Sequence, residues 1–295
     1  MIYNYKIILI FFLFLLVLSG CKGGGTKIEP VALTLEDNTD TNTSKFRQIF
    51  YNIYIPTDMA RIFERVGANF NPGILNSADN FSRYTTPHEI AANLGIYGVD
   101  MSYTKIFNQM GLTAKYFATI HLLSDKLGIP DSYYQEILDA MEKYKDEKDS
   151  LTKFAGEVYE MADKFLKENN KNSYAALMVM GGWIEALYIA TKISELNPDN
   201  MEIMDRIAEQ KYSLNSLIFL LNNYQDDLQI TEYLLMLRHL KKSFDKCEIF
   251  YNQQNFRVDS INKLISTDEY VVDVSPEVIS EIAKLISEIR TGIVD

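Results

Sequence analysis

Tyr174–Ala190 reads YAALMVMGGWIEALYIA, with Glu185 as its only charged residue. Ile90–Tyr103 reads IAANLGIYGVDMSY, with Asp100 as its only charge. A helix that is apolar on every side belongs in the middle of a bundle or in a membrane. The longer run has 17 residues, against about 20 for a bilayer span, and a carboxylate in mid-membrane is costly. Both segments therefore read as central helices of a protein core. Each carries a stripe of small residues. Ala91, Gly95, Gly98 and Ser102 share one helical face, as do Ala175, Val179, Gly182, Ala186 and Ala190. Glycine inside a helix costs about 1 kcal/mol relative to alanine, and close approach of another backbone is the usual compensation. The two helices are expected to cross closely, on each other.

Outward from this pair, the chain reads helical almost throughout from about Lys45. Its prolines, at 30, 56, 72, 87, 130, 198 and 276, fall at breaks or in first turns. Thr86-Pro87-His88-Glu89 offers an N-cap, a proline at the first helical position and a capping-box glutamate. Ser275-Pro276-Glu277 opens the last helix in the same way, while Gly128 and Asn197-Pro198 close two others. The expected helices are 46–54, 57–66, 87–110, 113–127, 132–144, 150–168, 173–196, 200–223, 230–251 and 276–291. Within 252–274, only Tyr270–Val274, YVVDV, reads as briefly extended. The pattern lacks strand–helix alternation, which excludes a doubly wound sheet. The fold class is all-α, a compact multi-helix bundle of about ten helices. The alternative is a short, tetratricopeptide-like α-solenoid, weakened by the lack of a clean repeat of about 34 residues.

The first residues carry an address. Lys6 precedes the apolar run Ile7–Leu18, which is too short to span a bilayer and reads as the core of an export signal. Leu18-Ser19-Gly20-Cys21 resembles the bacterial lipobox, cut before Cys21 so that its thiol can carry diacylglycerol. With an added N-acyl chain such as palmitate, the attachment is stable. The expected organisation is a signal peptide at 1–20, a lipidated cysteine and flexible tether at 21–44, and a helical domain at 45–295. The tether is Gly- and Asn/Asp/Thr-rich. Lys22, in place of an aspartate, favours the outer membrane. With Cys21 lipidated, Cys247 has no intramolecular partner and reads as a small buried hydrophobe.

NLGIYGVDMSY (Asn93–Tyr103), GGWIEALYIAT (Gly181–Thr191) and SPEVISEIAKLISEIR (Ser275–Arg290) resemble an uncharacterised family of helical bacterial lipoproteins. The resemblance spans most of residues 45–295. It implies a helical fold and a lipid anchor, and it brings no activity, cofactor or catalytic residue.

Chemistry is sparse in the rest. Twenty-nine basic residues against 40 acidic ones give a net charge of −11, the wrong sign for a nucleic-acid footprint. The composition, 47% hydrophobic and 23% charged, is that of a globular protein. His88, His121 and His239 lack a second histidine at helical spacing, so no metal is expected. No nucleophile elbow, phosphate loop or dinucleotide fingerprint is present, so neither a cofactor nor a catalytic residue is assigned. What remains is Asp100-x-x-Tyr103 and Glu185-x-x-Tyr188. A carboxylate among apolar residues must be paired, hydrogen-bonded or protonated. These four residues are the candidate site, first as a structural polar network and second as a small-ligand or proton-handling site. The functional expectation is a non-enzymatic protein-interaction or scaffold module of the cell envelope. Its partners would be the lipid bilayer, through acylated Cys21, and envelope proteins. The alternative is a ligand-binding lipoprotein with a pocket between helices 87–110 and 173–196.

Overall fold

Thr86 accepts a hydrogen bond from the Glu89 amide, and the Glu89 carboxylate accepts one from the Thr86 amide. With this capping box and Pro87 at its first position, α1 (Pro87–Ile106) starts where the sequence places it. It ends four residues early. Asn108 adopts a left-handed backbone (φ 55°), which breaks the expected 87–110 helix and lets α2 (Met110–Lys126) begin. The protein is seen here as a computed structural model that describes residues 63, 67–130, 168–169, 171–251, 256–259, 264–267 and 270–295. All of them belong to one compact unit, 31–295.

Four more helices follow: α3 (Asn172–Leu196), α4 (Met201–Asn222), α5 (Leu228–Phe244) and α6 (Pro276–Val294). Asn200, Asp227 and Ser275 cap α4, α5 and α6 by accepting from amides of the first turn. The fold is mostly helical and all-α, but the described residues hold six α-helices, fewer than the ten expected. The expected helices 46–54 and 132–144 lie outside the described residues, as do most of 57–66 and 150–168. So do Cys21, the signal segment 1–20 and the tether 21–44.

The expected helix 230–251 is corrected. It stops at Phe244, and Glu248–Tyr251 form strand β1 instead. The reason is non-local: β1 pairs antiparallel with β4 (Tyr270–Asp273), Ile249 opposite Val272 and Phe250 opposite Val271. Between them, β2 (Phe256–Asp259) pairs with β3 (Leu264–Thr267). The extended reading of YVVDV is met at Tyr270–Asp273.

The core is built around α1 and α3, which make the most extensive helix–helix contact among the described residues. Gly95 explains the proximity: a Cβ built there would overlap the Met178 carbonyl oxygen and lie 2.5 Å from the Gly182 amide nitrogen. Gly181 does the same from the other side, against the Ala92 carbonyl. α3 is long and apolar enough to cross a bilayer, yet 83% of its most apolar window is buried inside the protein. α6 packs on α3, and α4 and α5 pack on each other. Cys247 is a free, buried cysteine, and burial pushes its thiol up to about 11.

Candidate functional site

Glu185, in the middle of α3, is fully buried. Its partner comes from α6. Arg290 donates from Nε to Oε2 at 2.6 Å and from a terminal nitrogen to Oε1 at 2.9 Å. This fork is the strong, two-point form of a carboxylate–guanidinium pair. The same arginine donates to the Ile74 carbonyl at 3.2 Å, and its guanidinium carbon lies 4.3 Å from the Tyr188 ring centre. Burial alone would weaken the arginine's hold on its proton. The adjacent Glu185 and then Asp100 outweigh that and raise its pKa further.

Asp100 arrives from α1, also with no exposed surface. Its Oδ2 accepts from the Asn76 amide at 3.1 Å. Its Oδ1 is buried and has no donor among the described residues. The Asp100 carboxyl is within hydrogen-bonding reach of Glu185. Burial first, and then the charge and contact of Glu185, push its pKa well above the usual carboxylate range, against smaller opposing effects from Arg290 and the Asn76 amide. Tyr97 and Tyr116 are held neutral chiefly by burial, with Asp100 adding to it.

A ring of neutral polar groups surrounds this cluster, centred on Asn76. Besides its amide bond to Asp100, Asn76 donates from its side chain to the Tyr84 hydroxyl (2.9 Å) and to Asn93 Oδ1 (3.1 Å). It accepts from Asn80 on its side chain and from the Tyr116 hydroxyl on its carbonyl. Every polar group of this buried residue is thus satisfied. Asn93 and Tyr84 then donate to the Ile293 and Val294 carbonyls, closing the end of α6.

Of the four residues the sequence singles out, Asp100 and Glu185 meet, and Tyr188 lies under their arginine. Tyr103 stands apart from that cluster. Its hydroxyl accepts from the Asn71 amide, and its ring packs with Phe63, Phe70 and Phe107. Tyr103 instead lines a half-open cavity of about 320 Å³ with Phe70, Asn71, Ile74, Lys192 and Ile193. Sequence reasoning missed Arg290, Asn76 and Asn93. Arg290 had a signal: it falls four residues after Ile286 and three before Ile293, inside the buried stripe of α6. An arginine on an apolar stripe asks for a buried acid. Asn76 had none, since an asparagine between turns reads as solvated loop.

Elsewhere, His88 Nε2 lies 2.6 Å from Asp227 Oδ2, with the ring edge-on to Tyr174. Among the described residues no hydroxyl is bonded to that imidazole, and the pair ties α1 to the N-terminus of α5. Among the described residues, no group of three His, Cys, Asp or Glu side chains is placed to hold a metal. No family model, no curated protein and no solved structure matches the chain.

Proposed function

We propose that the protein is a lipid-anchored helical module of the cell envelope that acts through protein contacts and carries out no chemistry of its own. The observation that supports the non-enzymatic half is the closure of the acid cluster. Asp100 and Glu185 have no exposed surface and Arg290 is 8% exposed. The fork, the Ile74 carbonyl and the Asn76 amide engage both Glu185 oxygens, two nitrogens of Arg290 and Oδ2 of Asp100. The cluster is a brace, and the working surface lies elsewhere. The anchoring half rests on the lipobox-like Leu18-Ser19-Gly20-Cys21 and the short apolar run before it. It puts the chain in the family of helical lipoproteins that its sequence resembles, on the outer membrane. The reading carries a fold with it: one bundle about the α1–α3 pair, in which the remaining chain adds helices, rather than an open solenoid.

Mass spectrometry of the native protein tests the anchor. A chain starting at Cys21 with diacylglycerol and an N-acyl group is expected; an unmodified chain starting at Met1 defeats it. Cross-linking in intact envelopes tests the contact function, which fails if the protein is recovered only as itself.

A ligand-binding reading has one observation in its favour. The 320 Å³ cavity is lined mostly by the segment 67–74, together with Tyr103 of α1 and Lys192, Ile193 and Leu196 of α3, and its size suits a small ligand. Native mass spectrometry of protein purified from membranes should then show a retained small molecule, absent from an Ile193→Trp variant.

A further inference from the structure

We propose that the folded protein keeps Asp100 as a neutral carboxylic acid whose proton is donated from Oδ1 to Glu185, so that folding takes up one proton and the fold weakens as the pH rises. Three observations meet here. The charges do not balance otherwise: two buried carboxyl groups face one guanidinium, which is committed in a fork to Glu185. The hydrogen bonds do not balance either. Oδ2 of Asp100 has the Asn76 amide as donor, but buried Oδ1 has none. A proton on Oδ1 turns an orphaned acceptor into a donor aimed at the neighbouring carboxylate, and a single proton settles both deficits. Finally, nothing else among the described residues is placed to neutralise a second negative charge. The titratable groups facing the pair are Tyr97 from α1, Tyr116 from α2, Tyr84 from the preceding segment, Tyr188 from α3 and Arg290 from α6. Four are phenols and the fifth is already paired. A bare carboxylate without a partner is prohibitively costly in such surroundings.

The sign follows from linkage. In the unfolded chain Asp100 titrates near 3.8; in the fold its pKa is raised. The stabilisation is fully present below 3.8 and is lost as the pH climbs to the folded value. Between the two values the folding constant falls by up to about tenfold per pH unit. This opposes the usual behaviour of a paired carboxylate, whose support is lost on acidification.

The test uses the full chain. Urea unfolding is followed at several pH values from about 5 to 9 for wild type, Asp100→Asn and Glu185→Gln. An amide at position 100 reproduces the neutral acid's donor and acceptor. Asp100→Asn should therefore fold at neutral pH and lose the decline with rising pH that wild type shows, while Glu185→Gln strands Arg290 and lowers the folding constant throughout. An Asp100→Asn variant with the wild-type pH slope overturns the proposal. A second measurement does not depend on any variant folding. Infrared spectroscopy of the wild-type protein at neutral pH should show the carbonyl stretch of one protonated carboxyl group, and its absence overturns the proposal as well.

Discussion

Glu185 and Arg290 are 105 residues apart in the chain and form a two-point ion pair in the core. A buried pair of this kind adds little over a well-packed apolar pair, but removing one partner leaves an uncompensated charge at a cost of about 3–5 kcal/mol. Arg290→Met is expected to lower stability by about this much, because it abandons Glu185 beside Asp100. The double change Glu185→Leu with Arg290→Met should recover a large part of the loss, and calorimetric melting of the three variants checks it. A double variant no more stable than Arg290→Met would show that the pair does more than satisfy itself. At this scale the sequence was half legible. Lone acids in apolar helices announce a buried partner. The identity of the partner needs α6 to be laid against α3, and periodicity within either helix carries no information about that.

At the scale of the element, the α1–α3 crossing rests on absent side chains. At Gly95 and Gly181 a single added methyl would overlap backbone on the partner helix, and backbone cannot rotate away as a side chain can. Gly95→Ala and Gly181→Ala are each expected to destabilise by about 1–3 kcal/mol or more, despite alanine's better helix propensity. Gly292, in the last turns of α6, is the control: nothing lies within 4 Å of its added Cβ, so Gly292→Ala should be neutral or stabilise by about 0.4–1 kcal/mol. Thr86→Ala, which removes the α1 cap, should cost about 1 kcal/mol. Chemical denaturation of these four variants ranks them, and equal effects at Gly95 and Gly292 would contradict the crossing geometry. The small-residue stripes pointed to this contact, with one addition. Gly182, on the expected stripe, faces Gly95, and its neighbour Gly181 also takes part by meeting the Ala92 carbonyl.

For the whole molecule, the described core is helical, lacks disulfides and encloses its ionic cluster. Far-ultraviolet circular dichroism of the purified protein should be dominated by helix and should not change with reductant, since Cys247 is free and buried. A spectrum that collapses on reduction would refute this. In cells, Cys21→Ser should move the protein from the membrane fraction to the soluble one with its melting temperature unchanged. Retention in the membrane would defeat the anchoring proposal and leave the fold untouched.

The division of labour between sequence and tertiary structure follows from the range of the forces. Local signals act within a few residues. The capping box at Thr86, the proline at position 276 and the apolar periodicity placed the helix starts and picked out α1 and α3 as central, because caps and amphipathic faces are properties of one segment. The lipobox-like motif is likewise read locally, as a short linear signal. What acts across the chain was decided only in three dimensions. The strand at Glu248–Tyr251 exists because Tyr270–Asp273 lies beside it. Tyr103 turns to the Asn71 side while Tyr188 lies under Arg290, although both stand three residues after a buried acid. Asn76 holds Asp100 from a segment with no periodicity at all. A sequence shows that a buried charge needs a partner, because desolvation is a property of the residue itself. Which group supplies that partner depends on which surfaces the helices bury together, and packing settles that.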